Sequence, residues 1–304
     1  MTPGARRNLR NGLLFVGPWI VGFSVFVVYP VCASFYYSLC DYSVLSDPVF
    51  IGLGNYADLL HDRVFFRALR NTLVYTAVFV VLGQLVALLL AILLSMRSRL
   101  VRVYRTLLYA PSLVPQIGAA VIWMWMFNTR HGPINAGFEA VTGWLPAAIR
   151  PDAPMWFNSQ DSAMGALVFM SLWSLGNAMV IYLAGLQDIP SSLYEAAEID
   201  GAGVLAKTAN VTLPMLSPVM LFNGIMGIIA GLNTFALPKM VYSTNRYHLG
   251  DSLQFYVMEL QHQAFDNLRM GYASAMAWIL FVIVLGLTLA VIRFSVRYVY
   301  YEAK

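Results

Sequence analysis

The sequence predicts an all-α integral membrane protein with six transmembrane helices. Its 304 residues are 59% hydrophobic and only 11% charged, with a mean hydropathy of +0.66, whereas soluble domains carry about 25% charged residues. Six apolar runs contain no Asp, Glu, Lys, Arg or His: Leu13–Leu39, Thr72–Ser95, Thr106–Phe127, Ala163–Gln187, Leu213–Leu237 and Gly271–Ile292. Each is long enough to cross a hydrocarbon layer of about 30 Å, which takes about 20 helical residues. Between the fourth and fifth runs lies one long polar passage, Ile189–Pro218.

The first run is too long for the apolar core of a cleavable leader and no small-residue cleavage pattern follows it, so it is expected to stay in the mature protein. Pro18 and Pro30 are tolerable there, because neighbouring groups in a membrane bundle satisfy the backbone that proline frees. Tyr36, Tyr37 and Tyr42 suit the outer interface. Cys32 and Cys40 fall eight residues apart on this helix, about 12 Å along its axis and beyond disulfide reach. They are expected to be packing residues. In the loop Asp41–Arg70, the stretch DRVFFRALRN reads as a short amphipathic helix on the membrane surface. The organisation expected is residues 1–67 for the N-terminus, first crossing and external loop, 68–295 for a five-helix core, and 296–304 for a tail.

The second and third crossings are joined by SMRSRLVRVYRT, whose four arginines suit inner-leaflet lipid headgroups. After the third crossing, Asn128–Ser162 carries Pro133, Pro146, Pro151 and Pro154 with Trp144 and Trp156, the composition of a structured cap. In the fourth crossing, Trp173, Ser174 and Asn177 share a helical face. In the passage that follows, Pro190 ends a helix, and Ser192 with Glu195 forms an S-x-x-E capping box that opens a new one. Gly201, Ala202 and Gly203 permit a sharp bend, a second short helix is expected over Val204–Asn210, and Pro214 restarts the chain toward the fifth crossing. That crossing carries a stripe of Asn223, Gly227, Gly231 and Thr234. Such a stripe serves helix packing, where small residues let backbones approach, or lines a polar cavity, where a hydrophilic solute needs hydrogen-bond partners. Both readings stand at this point.

Six crossings put both termini on one side. Arg6, Arg7, Arg10, Arg97, Arg99, Arg102, Arg105, Lys207, Arg293, Arg297 and Lys304 place 11 basic residues there against 8 on the other side, and only five of the 15 acids. The positive-inside rule then makes the termini and the Ile189–Pro218 passage cytoplasmic. Basic residues at the inner leaflet account for the pI near 9.0 without nucleic acid. The chain has no G-x-x-x-x-G-K-[ST] sequence and no Gly-Lys dipeptide, so it is not expected to bind a nucleotide. His61, His131, His248 and His262 are scattered over loops, and no Ser, His and Asp fall into a catalytic pattern; no metal site and no catalysis are expected. Crossings without ionisable residues argue against a proton- or sodium-coupled carrier, which keeps an ionisable relay in the membrane.

The passage LAGLQDIPSSLYEAAEIDGAGVLAKTANVTLPMLSP closely resembles the cytoplasmic signature of bacterial ABC importer permeases, carried by Glu195, Ala196, Ala197, Asp200, Gly201, Leu213 and Pro214. IGLGNYADLL, RTLLYAPSLVPQIGAAVIWMWMFNTRHGPIN and GYASAMAWILFVIV are similar to blocks of the carbohydrate-uptake branch, which contains the maltose and glycerol-phosphate systems. Where that branch commonly has a Gly-Gly-Pro turn after MVYST, this chain has Asn245, Arg246, Tyr247 and His248, which sets its last external loop apart.

The resemblance implies a type I ABC importer permease fold with cytoplasmic coupling helices, in a bacterial inner membrane. It implies as partners a second permease subunit, two ATPase subunits that carry ATP and Mg, an extracytoplasmic solute-binding protein and membrane lipid. The chain itself is expected to bind no cofactor. Glu195, Ala196, Ala197, Asp200, Gly201 and Ala202 would dock on the ATPase, with Glu195 serving as a capping residue, as an ion-pair partner, or as both. Met170, Trp173, Ser174, Asn177, Gly227, Gly231 and Thr234 would line the path of a sugar or oligosaccharide. A glycerol phosphate or another small polar solute is the alternative cargo, and uncharged crossings favour a neutral one. A membrane scaffold that transports nothing is the alternative of a different class.

Overall fold

A computed structural model describes residues 3–96, 100–146, 152–295 and 299. Arg97 and Arg99 of the basic turn, Pro151 of the external loop and all of the tail but Val299 lie outside the described residues. Four helical stretches are long and apolar enough to cross a membrane: Asn11–Ser38, Arg63–Ser95, Val204–Asn245 and Met270–Ser295. Two bent helix pairs bring the number to six if each pair is one span, Val101–Leu113 with Gln116–Met126 at 101° and Gln160–Leu172 with Gly176–Gln187 at 50°. Counted in that way, the six expected crossings are matched, two of them by bent pairs.

By its contacts the chain divides into two compact units, one comprising residues up to Arg63 with Leu260–Val282, the other Val64–Glu259 with the chain from Ile283 onward. In the first unit, helices α1 (Pro3–Phe23) and α2 (Tyr29–Ser38) are joined by a wide π-helical turn, Ser24–Val28, just before Pro30. Proline has no N–H to donate to the preceding turn, and the widened turn takes up the mismatch. A two-residue ladder pairs β1 (Cys40–Asp41) with β2 (Val49–Phe50), and α3 (Gly54–His61) follows. Buried Asn55 ties this turn together, its Nδ2 donating to the carbonyls of Ser38 (2.9 Å) and Cys40 (2.8 Å). Both cysteines are free, Cys40 buried and Cys32 exposed.

The second unit holds most of α4 (Arg63–Ser95), α5 (Val101–Tyr109), α6 (Gln116–Met126), α7 (Pro133–Thr142), α8 (Gln160–Leu172), α9 (Gly176–Gln187), α10 (Ser191–Ile199), α11 (Val204–Lys207), α12 (Leu213–Leu232) and α13 (Ala236–Leu249). Helices α14 (Tyr256–Gln261) and α15 (Met270–Ser295) complete the chain. Here two expectations are corrected. The stretch DRVFFRALRN is not a separate surface helix but the first turns of α4, because no breaker interrupts Arg63–Ser95. The fourth crossing is not one helix: Trp173, Ser174 and Leu175 form a turn between α8 and α9.

Each break has an identifiable cause. Pro111 lies in the 3-10 turn Ala110–Leu113 and Pro115 is the extended residue before α6, so prolines divide the third crossing. No proline divides the fourth. There Gly176 sits against the backbone of α5, and a Cβ on it would lie 2.9 Å from Tyr109 Cα and 3.2 Å from the Leu108 carbonyl oxygen. The turn lets α9 start with its backbone touching α5.

Two apolar cores fill this unit. Tyr75, Trp123, Phe127, Phe157, Met170 and Phe255 belong to one, and Leu88, Leu175, Met179, Tyr182 and Leu216 to the other; Phe79 and Leu172 pack on both. The segment after α6 is folded where it is described. Asn135 Nδ2 donates to the carbonyls of Thr129 (3.1 Å) and Pro154 (3.3 Å), while Trp156 Nε1 donates to Asn135 Oδ1 (2.5 Å). Asn245 leaves helical geometry inside α13 (φ −121°, ψ 23°), marking a kink at the start of the atypical Asn245–His248 sequence.

Because two of the three nearest atoms facing Gly176 are backbone, Gly176→Ala is expected to destabilise the protein by about 1–3 kcal/mol through overpacking. Gly165→Ala, with no atom within 4 Å, should leave stability unchanged or raise it. Thermal midpoints of the two variants in detergent check this; equal midpoints would refute the close approach of α9 to α5.

Candidate functional site

Two places in the second unit combine polar groups with a shape that sequence patterning anticipates: a hook outside the apolar spans, and a cavity between the two cores. The hook is α10, a bend and α11. Pro190 (φ −58°, ψ 131°) is the residue before α10, no side chain caps the helix, and Ser191 is its first residue. The expected Ser192 and Glu195 capping box is therefore absent, because Ser192 already lies inside the first turn. Glu195 and Ala196 are instead exposed on the surface of α10.

The bend is a complete helix-terminating motif. Gly201 adopts φ +74°, its N–H donates to the Glu198 carbonyl (3.0 Å), and the Ala202 N–H reaches back to the Ala197 carbonyl (2.9 Å). These are the paired bonds by which a left-handed residue closes a helix, and glycine adopts that backbone without a Cβ clash. Asp200 is the last residue before it. Two contacts brace the arms: Lys207 Nζ to Glu198 Oε1 at 2.6 Å, and the Tyr194 hydroxyl to Thr212 Oγ1 at 3.0 Å. The second arm does not end before Pro214. Helix α11 passes through a π-helical turn, Thr208–Thr212, directly into α12, so Pro214 falls in the first turn of α12, where its missing N–H disturbs little, and no restart occurs. Hook and membrane helix form one continuous stretch from Val204.

The cavity, of about 380 Å³, lies between α4, the α8–α9 turn, α9 and α12. Ser174, Asn177 and Gly227 line it as the sequence suggests, and Gln84 and Asn223 line it as well, with Phe79 and Phe222 as apolar wall. The other expected residues lie elsewhere. Met170 is buried in the core, and Trp173 packs edge-on against Trp123 with ring centroids 5.8 Å apart. Gly231 is buried against Thr76, which would stand 2.8 Å from an added Cβ, and Thr234 follows the end of α12 beside the Tyr75 hydroxyl. The stripe of small residues is thus both things the sequence left open, with cavity wall at Gly227 and packing seam at Gly231. Asn177 and Ser174 face the cavity while Trp173 does not, because the turn at residues 173–175 separates side chains that one straight helix would align.

Gln84 is the residue that pattern reading passes over, although it is the single amide in the second apolar run. Its Nε2 donates to the Met220 carbonyl (3.0 Å), and its Oε1 accepts from the Tyr182 hydroxyl. No acid or base lines the cavity, only amides, a hydroxyl and apolar wall. Such a lining hydrogen-bonds a neutral polar molecule and offers no charge to an ion.

Comparison with known proteins agrees with this architecture. The sequence profile of the family described as binding-protein-dependent transport system inner membrane component matches residues 80–300. The chain is 35% identical to the probable ABC transporter permease protein YesP of Bacillus subtilis over 98% of this chain and 94% of that protein. It is 32% identical to the arabinooligosaccharides transport system permease protein AraP of the same organism, over 93% and 87%. To the sn-glycerol-3-phosphate transport system permease protein UgpA of Yersinia enterocolitica it is 31% identical, over 95% of each. Among solved structures, a bacterial ABC transporter involved in the import of the acidic polysaccharide alginate superposes with a TM-score of 0.77 at 18% identity, covering 97% of this chain and 99% of that one. The bacterial alginate ABC transporter in complex with a pentasaccharide-bound periplasmic protein gives a TM-score of 0.79 at 19% identity, over 96% of each chain. At such identities these two likenesses concern the fold.

Trp173→Ala is expected to lower stability by up to about 3 kcal/mol, since it removes a packed aromatic, whereas Asn177→Ala should leave it within about 0.5 kcal/mol. Thermal unfolding of the detergent-purified protein separates the two; a stable Trp173→Ala variant would mean that this ring does not support the core.

Proposed function

The chain belongs to the family of binding-protein-dependent transport system inner membrane components, and from that membership we propose that it is a permease subunit of an ATP-driven importer of a sugar or oligosaccharide. A second permease completes the path, two ATPase subunits bind ATP and Mg and perform the hydrolysis, and an extracytoplasmic binding protein delivers the solute. The excess of Lys and Arg on the side of the termini supports a cytoplasmic hook and cytoplasmic termini.

The observation that carries this reading is the surface of the hook. Ile199, Val204 and Leu205 are 87%, 73% and 85% exposed at its bend, next to Glu195, Glu198, Asp200 and Lys207. A segment so charged stands in water, and three large apolar side chains together in water mark a surface that a protein covers. The hook is braced on itself and continuous with α12, so a push on it reaches the membrane helix without being absorbed by a hinge at Pro214. Docking would rest on Glu195, Ala196, Ala197, Asp200, Gly201 and Ala202, with the apolar tip seated in the ATPase.

For the cargo, the names of AraP and UgpA concern oligosaccharides and a glycerol phosphate, and the uncharged cavity favours the neutral one. Ser174 and Asn177 would hydrogen-bond sugar hydroxyls, with Gly227 leaving room. Met170, Trp173, Gly231 and Thr234 would shape the wall behind them.

Two outcomes are expected from the complex purified with its ATPase subunits. Leu205→Glu should strip those subunits from the permease during affinity purification, because it puts a charge into the covered surface. Gly201→Val, forced into a left-handed backbone at about 1–3 kcal/mol, should cut binding-protein-stimulated ATP hydrolysis by roughly fivefold or more in liposomes. Full assembly of the first variant and full stimulation of the second would sink the docking role of the hook.

A further inference from the structure

The polar groups beside the cavity do more than line it. Gln84 on α4 joins three helices at once, donating to the Met220 carbonyl of α12 at 3.0 Å and accepting from the Tyr182 hydroxyl of α9. Its amide nitrogen lies 2.8 Å from the position a Cβ would take on Gly224, so a side chain there would push the amide out of its present position. Tyr182 is wholly buried in the core that packs α4, α9 and α12. Next to it, Asn223 interacts with the Tyr182 hydroxyl, but its buried Nδ2 makes no well-formed hydrogen bond. That unused donor leaves the junction with one bond fewer than its groups can make.

The junction also has a mechanical connection. Met220 and Asn223 lie two turns and more into α12, which is joined to Val204 of the hook by helical backbone that includes the π-helical turn Thr208–Thr212 and Pro218. A turn or shift of the hook therefore moves the Met220 carbonyl and the Asn223 amide together, against Gln84 and Tyr182 on helices that are not part of the hook.

We propose that Gln84 is a positioning residue, the latch through which movement of the hook reaches the cavity. In the arrangement described it holds α12 to α4 and α9. When α12 moves, the Met220 carbonyl leaves the Gln84 amide, and the Asn223 Nδ2, already beside the Tyr182 hydroxyl, closes a full hydrogen bond to it or to Gln84 Oε1, so the junction exchanges partners without losing bonds. Two nearly equal sets of bonds give the helices two defined positions instead of a continuum. This inference rests on the hook being driven by ATPase subunits.

The test uses the assembled complex in liposomes and reads ATP hydrolysis without binding protein, which needs no knowledge of the cargo. Gln84→Leu removes both bonds of the latch, and Tyr182→Phe removes one hydroxyl and little volume. Each should raise the unstimulated rate by roughly threefold to tenfold, the population shift that loss of an interhelical hydrogen bond in a membrane gives. Stimulation by the co-purified binding protein should shrink by a similar factor, with the complex still assembled on size-exclusion chromatography. Unstimulated rates equal to wild type in an assembled complex overturn the latch, as does a fall in stimulated and unstimulated rates by the same factor. If Gln84→Leu fails to assemble, Tyr182→Phe decides by the same criteria. A wild-type complex that never responds to the binding protein overturns the importer reading itself, and the latch with it; a responsive wild type with unaltered variants overturns the latch alone.

Discussion

A hydrocarbon interior offers no water to a polar backbone, so every carbonyl and amide inside it must find a partner in the protein. Much of this structure follows from that requirement. Helices may stop inside the membrane only where something else takes over their bonds, and the stops are accordingly short and specific. The third crossing breaks between two prolines through a 3-10 turn. The fourth breaks over three residues in which Trp173 N–H still reaches Met170 and Ser174 N–H still reaches Ser171. The same rule governs side chains: Tyr75 donates to Ser171 and Thr72 to the Ala68 carbonyl. Where a break leaves a turn beside a small residue, there is room, and the cavity lies next to the α8–α9 turn.

The number of crossings was legible because it depends only on length and the absence of charge. The bend at Gly201 was legible because one residue type suits a left-handed backbone. What the residues alone did not disclose are features fixed by neighbours distant in the chain. Ser192 has the right spacing to Glu195 for a capping box, but Pro190 in an extended conformation lets the helix begin at Ser191, which puts Ser192 inside the first turn, where its side chain cannot cap. Pro214 reads as a restart, but proline in the first turn of a helix costs little, and the preceding π-helical turn feeds straight into it. In the candidate site, Ser174, Asn177 and Gly227 were found by periodicity. Trp173 was placed with them by the same periodicity, and the backbone of α5 pressing on Gly176 is what turns it away. Gln84 was overlooked because a lone amide in an apolar run shows no period; its isolation was the available signal.

The hook and α12 illustrate how a local motif acquires reach. Its closing bonds, Gly201 to Glu198 and Ala202 to Ala197, are indifferent to anything outside ten residues. Attached to a helix that continues to Leu232, they determine the direction in which that helix leaves the hook. The Lys207–Glu198 pair is exposed and contributes little stability by itself, yet together with Tyr194 and Thr212 it makes the two arms one piece.

The segment around Asn135 has a consequence of a different kind. One buried amide gathers Thr129, Pro154 and Trp156 around it, so these stretches surrender their conformational entropy while the chain folds. A protein meeting this face encounters a shape already set. Ordering of interface loops is among the larger losses in association, and here it falls on folding instead, which lets a brief and weak encounter still be a selective one.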